Sequence, residues 1–268
     1  MKFFIEGTNI PILILVVVIS NKHFSTTAHR LLNFKPKAEN ILHDLIDGLP
    51  QQHNSFNITK VTKGNQKSAI LNLCNDCSTV PDNIPSKYLK LCVDEIISQL
   101  CHIINESIEK QTFPEQLKFS KINPIPKINQ PIQPSDYRPI SILAILSELY
   151  EKVLLTQLNQ RMENNQLLST HQSGFQKSHC TISTWQDNIV KAMNRGKITL
   201  AVMTDFSKSF DTVDFEMLIW KLHKLNLSKS SVRIFASYSN RHQYIQIGDS
   251  VSQRLAVINE QHCWPSAL

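Results

Sequence analysis

No run of apolar residues in this chain reaches the roughly 20 that a bilayer-spanning helix needs. The longest candidate, Ile10 to Ile19, is ten residues and includes Pro11. Its length fits the core of a signal peptide, but Glu6 spoils a basic leader and no clear small-residue cleavage site follows. A buried strand, or a segment foreign to the domain behind it, is the expectation, with secretion led by residues 1–20 as the alternative. Cysteine is sparse: Cys74, Cys77, Cys92, Cys101, Cys180 and Cys263 are scattered along 268 residues, which excludes a disulfide-stapled secreted scaffold and suits a cytoplasmic or nuclear protein. Cys74 and Cys77 form a Cys-x2-Cys pair, yet no second pair follows, so plain thiols are favoured over zinc. Glycine numbers 6 against 12 prolines, and neither a Gly-x-Gly-x-x-Gly nor a Gly-Lys-Ser/Thr loop occurs, which disfavours a nicotinamide enzyme or a kinase. Repeats and low-complexity tracts are absent.

What is present can fold. Hydrophobic residues make up 41% of the chain, enough for a core, and 28 Lys plus Arg against 22 Asp plus Glu give a formal charge of +6. That balance suits an anionic partner such as nucleic acid. Prolines 124, 126, 131 and 134 between Pro114 and Pro139 exclude a helix there and predict a strand, a loop and a second strand. Helical spacing predicts one long helix over Ser86 to Lys110, another over Ser141 to Met162 with Ser141 capping it, and a third over Thr181 to Arg195 ending at Gly196. Ile198 to Thr204 is a short continuous apolar run, as expected of a strand buried on both faces. Further helices are predicted from Asp214, as N-cap, through Leu225 and from Ser228 to Asn240, and a strand at Gln243 to Ile247. The class is mixed α and β.

The candidate chemistry sits at the end of the apolar run. Asp205 follows it directly, and a second aspartate, Asp211, comes six residues later. A carboxylate held at a strand end can ligate Mg²⁺, a hard cation that takes oxygen ligands, and phosphoryl transfer can use two such ions. Strand-end aspartates also serve as caps and ion-pair partners, so spacing alone leaves both readings open.

The flanking residues are more specific. Asp205-Phe-Ser-Lys-Ser-Phe-Asp-Thr-Val-Asp214 resembles the first catalytic motif of the reverse transcriptases of non-LTR (jockey-like) retrotransposons, which usually carry alanine where Ser209 stands. Other blocks resemble the same family in order: Pro81 to Pro85 with Leu89-Lys90, Phe113-Pro114 with Lys118, Ile125-Pro126-Lys127, Asp136-Tyr-Arg-Pro-Ile-Ser141 and Gln172-Ser-Gly-Phe175. The resemblance covers about 56–250. It implies an α+β fold, the fingers and partial palm of a right-hand polymerase with an incomplete palm sheet. Residues 1–55 would be an N-terminal extension, 56–250 the reverse transcriptase domain, and 251–268 a divergent tail. It further implies that Asp205 is catalytic and binds both metals, with the Phe206 carbonyl contributing to one. Phe210 would lie under the incoming sugar and leave no room for a 2′-hydroxyl, while Lys127 and Arg138 grip the triphosphate. Mg²⁺, deoxynucleoside triphosphates, an RNA template and a DNA primer are the implied partners, and no membrane.

The sequence also departs from the family. The palm hairpin carries adjacent aspartates in this family, after a Gly-x-Pro-Gln-Gly-Ser turn, and neither is found here. Gln176, Ser178 and Cys180 replace the usual arginine, glycine and serine, and Leu117 stands where tryptophan is common. The expectation is a domain truncated after the first palm motif, descended from an RNA-directed DNA polymerase and inactive as this polypeptide. The alternative is a non-catalytic basic module that holds nucleic acid through its backbone.

Overall fold

The computed structural model describes residues 2–5, 8–27, 39–73, 84–169, 171–174, 180–204 and 213–257. Its chain order is β1 (Lys2–Ile5), β2 (Thr8–Pro11), α1 (Ile12–Ser25), α2 (Glu39–Gly48), α3 (Lys63–Leu71), α4 (Ser86–Leu91), α5 (Val93–Lys110), β3 (Phe119–Pro126), β4 (Tyr137–Leu143) and α6 (Ile145–Asn164). There follow α7 (Thr181–Met193), α8 (Phe215–Lys224), α9 (Lys229–Ser239), β5 (His242–Ile247), β6 (Ser250–Val251) and β7 (Leu255–Ala256). The mixed α and β class read from the sequence is what forms.

The sheet runs β4-β3-β5-β6, with β7 also on β5. β3 and β4 pair antiparallel from Ser120↔Leu143 to Pro126↔Tyr137, while β3 and β5 pair in parallel from Phe119↔His242 to Ile122↔Ile245. Because side chains alternate along a strand, this register puts Ser120, Ile122, Gln243 and Ile245 on one face. Helix α1 covers that face: Val17 and Phe24 pack with Ile122 and Ile245, all buried. A polar tie fixes its position. Asn21 Nδ2 donates to Ser252 Oγ (2.9 Å) and to the Gln253 carbonyl (2.8 Å), and Gln243 Nε2 donates to Asn21 Oδ1 (3.1 Å).

Segment 10–19 is therefore not a buried strand. Its first two residues end the β1–β2 hairpin and the rest is helix. The burial of Val17 and Phe24, at about 1.5–3 kcal/mol for each large apolar side chain, outweighs the slight helix aversion of Val16 to Val18. Among the described residues no helix is long and apolar enough to cross a membrane.

The helices share a core. One cluster joins α2, α5, α6, α8 and α9 through residues such as Ile46, Ile104, Tyr150, Leu154, Leu222 and Ile234. At its centre Phe113 stacks on Tyr150 (4.6 Å between centroids, 7° between planes) and meets Tyr238 edge-on at 4.8 Å. A second cluster binds α3, α4, α5 and α6 through Ile70, Leu89, Val93, Ile97 and Leu149.

Three local expectations change. The long helix over 86–110 breaks at Cys92 (φ −103°, ψ 20°), although its apolar stripe continues from Leu89 to Val93 and Ile97. Ser141 does not cap a helix: it pairs with Ile122 in β4, and α6 starts after Ala144. The strand expected at Ile198 to Thr204 does not form. No strand among the described residues lies beside it, so its backbone has no ladder partner, and Ile198 and Leu200 are 99% and 88% exposed. The other signals hold: Gly196 at φ 65° ends the turn after α7, Asp214 Oδ1 caps α8 by accepting from the Glu216 N–H (2.8 Å), and Ser228 caps α9.

Candidate functional site

The β3–β4 hairpin is the best-defined element carrying sequence-predicted site residues. Its strands tolerate Pro124 and Pro139 opposite each other, and the connecting loop closes with the Lys127 N–H donating to the Asp136 carbonyl (2.8 Å). The Asp136 carboxylate holds the loop from inside. Its Oδ2 accepts from the Gln133 N–H (2.9 Å) and the Ile132 N–H (3.0 Å), and these two bonds hold its pKa below the usual carboxylate value. The motif spacing alone gives Asp136 no such anchoring role, which depends on the path of the loop around it.

Lys127 and Arg138 are both exposed. Arg138 pairs with Ile125 near the end of the hairpin, and Lys127 is the first residue beyond β3, so both cations lie at the loop end of the hairpin. Lys127 Nζ donates to the Ser135 carbonyl (2.9 Å), which steers the ammonium without neutralising it. The Asp136 carboxylate of the same loop feels the Lys127 charge, so the arrangement is a pair of exposed cations, one of them partly offset, on a braced hairpin. Asp205, Phe206 and Phe210 lie outside the described residues, as do Asp211, Phe175 and the Cys74–Cys77 pair. The hairpin cations and the aspartate motif are therefore not brought together by any described contact.

Helix α7 buries none of its residues, and Trp185, Ile189, Val202 and Met203 line a groove of about 970 Å³ between the helix and segment 202–204. Among the described residues no three His, Cys, Asp or Glu side chains gather into a metal site.

The sequence pattern of the family described as reverse transcriptase (RNA-dependent DNA polymerase) matches residues 125–256. Those residues belong to the reverse transcriptase family. Relatives with the same reading are the probable RNA-directed DNA polymerase from transposon BS of Drosophila melanogaster, 34% identical over 148 residues, and that from transposon X-element of the same fly, 29% identical over 136. These alignments cover 54% and 49% of this chain but 16% and 15% of the relatives. The RNA-directed DNA polymerase from mobile element jockey, also from Drosophila melanogaster, is 24% identical over 175 residues, 64% of this chain and 19% of the relative. The chain thus spans less than a fifth of the length of these relatives. The reverse transcriptase stretch begins inside β3, takes in the loop and β4 with Lys127 and Arg138, and runs through β7. The likeness to elements of the non-LTR kind, read from the motifs, agrees with these relatives.

Proposed function

We propose that residues 56–250 are the fingers and the N-terminal part of the palm of an RNA-directed DNA polymerase, with the β3–β4 hairpin as the element that holds the incoming nucleotide. Lys127 and Arg138 grip the triphosphate, whose charge their ammonium and guanidinium groups offset during transfer. Phe210 lies under the sugar, and Asp205 is the catalytic carboxylate. Magnesium would be held by Asp205 and the Phe206 carbonyl and would supply charge neutralisation at the phosphates. RNA template and DNA primer are the corresponding macromolecular partners. What carries this reading is the pair of exposed cations at the loop end of the hairpin, both within the reverse transcriptase stretch.

A second reading is favoured by one observation: segment 198–204, which should deliver Asp205, has no strand beside it among the described residues. On that reading the chain binds nucleotide and nucleic acid but does not incorporate. One experiment addresses both. Titration with deoxythymidine triphosphate should show saturable binding, weakened about tenfold by either Lys127→Gln or Arg138→Gln, since each charged hydrogen bond contributes about 1.5–3 kcal/mol. Binding that ignores both changes removes the hairpin from the site. A primed RNA template with Mg²⁺ then tests the activity: no incorporation is the expected result for a chain without the Asp-Asp hairpin, and synthesis abolished by Asp205→Ala would overturn the expected inactivity.

A further inference from the structure

Helix α1 lies outside the reverse transcriptase stretch, yet it reaches the hairpin that carries Lys127 and Arg138. It packs against β5, β6, β7 and the turn Pro134–Asp136, which closes the hairpin loop. The Asn21 bonds to Ser252, Gln253 and Gln243 fix the helix along the sheet, so it meets that turn from a set position.

Tyr137 is where helix and hairpin meet. It follows the turn, pairs with Pro126 and shares the Ile122 face of the sheet, half-buried against the cluster of Val17, Phe24, Ile122 and Ile245. Two consequences run from that contact through the backbone. The residue before it is Asp136, whose carbonyl accepts the Lys127 N–H (2.8 Å) and whose carboxylate holds the Ile132 and Gln133 N–H groups. The residue after it is Arg138, and because side chains alternate along a strand, a Tyr137 turned toward α1 turns Arg138 to the opposite face. That face is open there, with Asn123, Ile125 and Arg138 all exposed.

A strand register is strongly specified only where one face is buried. At the loop end of this hairpin α1 supplies the burial. The cluster that receives Tyr137 draws two of its members, Val17 and Phe24, from the helix and two, Ile122 and Ile245, from the sheet. Without the helix, Tyr137 would lie on a bare sheet face, and neither the side that Arg138 takes nor the path of the Asp136 carbonyl would be fixed from outside the hairpin.

We propose that α1 braces the nucleotide-holding hairpin and that Tyr137, held by the Val17 and Phe24 cluster, is the positioning residue through which it acts. Tyr137 keeps the Lys127–Asp136 backbone bond closed and Arg138 on the open face. The inference rests on the reading of Lys127 and Arg138 as the triphosphate grip. It adds a requirement that the reverse transcriptase stretch does not itself contain, since the geometry of the grip depends on residues 12–25.

The test reads the brace with and without nucleotide, in the full chain carrying Tyr137→Ala, Phe24→Ala or Tyr137→Phe, the last of which keeps the ring. Hydrogen exchange over residues 127–136, followed by mass spectrometry, should quicken roughly tenfold in the two alanine variants and hold steady in Tyr137→Phe, while α5 and α6 keep their natural rates. Should Phe24→Ala disturb α5 or α6, Tyr137→Ala decides, because Tyr137 is only half-buried. Titration with deoxythymidine triphosphate should show binding weakened about fivefold by Tyr137→Ala, and clearly less in a chain already carrying Arg138→Gln, because coupled residues are not additive. Unchanged exchange in Tyr137→Ala, equal quickening in Tyr137→Phe, or an equal binding loss with and without Arg138→Gln would each overturn the proposal. Absence of nucleotide binding by the natural chain would refute the grip reading and the positioning role with it, whereas quickened exchange would still establish the brace.

Discussion

Replacing Tyr150 by phenylalanine should weaken the protein at neutral pH and strengthen it, relative to the natural sequence, in strong alkali. Tyr150 is fully buried, its ring stacked on Phe113 and its hydroxyl 2.6 Å from Ser107 Oγ. Burial raises its pKa to about 12, an effect only partly opposed by the Ser107 bond. Removing the hydroxyl loses one neutral hydrogen bond, about 1 kcal/mol at pH 7, and leaves Ser107 still bonded to the Thr112 carbonyl. The sign of the alkaline effect follows from linkage. The folded pKa lies above the unfolded value near 10, so this group's contribution is fully present below pH 10 and is lost as pH rises toward 12. With a factor of ten in affinity for the proton worth about 1.36 kcal/mol, the natural protein sheds roughly 1.4 kcal/mol through this residue by pH 11 and on the order of 2–3 kcal/mol by pH 12. The phenylalanine variant sheds none of it. Urea denaturation followed by circular dichroism at steps from pH 7 to 11.5 should therefore give two stability curves that converge and cross a little below pH 11. The other tyrosines and the lysines titrate in both proteins and drop out of the difference. Parallel curves, with a constant gap across this range, would refute the burial argument.

Two further outcomes check the scaffold. Glu151 and Arg241 are 6% and 3% exposed and form an ion pair at 3.4 Å, with the guanidinium 4.4 Å over the Tyr238 ring. Glu151→Leu alone should cost about 3–5 kcal/mol by leaving a buried charge, whereas adding Arg241→Leu should recover much of that loss, as measured by chemical denaturation of the double-mutant cycle. Asp214→Ala removes the acceptor for the first N–H groups of α8 and should lower stability by about 1 kcal/mol in the same assay, with Asp214→Ser losing far less.

Signals confined to neighbouring residues were readable in the chain. A cap needs only its own side chain and the next three N–H groups, so Asp214 and Ser228 announced α8 and α9. Proline excludes helix by its own ring, and so the β3–β4 hairpin could be read from 114–139. Signals that depend on distant partners were misread. Ser141 has the chemistry of a cap, but Ile122, nineteen residues earlier, claims it for a strand. Ile198 to Thr204 has the composition of a buried strand, but composition cannot provide the neighbour that a strand requires. Segment 12–25 becomes a helix because Ile122 and Ile245, far along the chain, offer a face for Val17 and Phe24.

The same distinction applies to polar residues that come together. Lys127 and Arg138 are eleven residues apart and joined by one hairpin, so a motif of ordinary spacing marks them, and the hairpin then sets both at its loop end. Gln52, His223 and Lys229 come from a loop, a helix end and the next helix start, brought together by the Phe56 and Asn226 backbone bonds across 170 residues of sequence. None is unusual by type or by local pattern. Their neighbourhood exists only once the chain has folded. A junction of that kind leaves no local pattern in the sequence, because each of its residues depends on partners far along the chain.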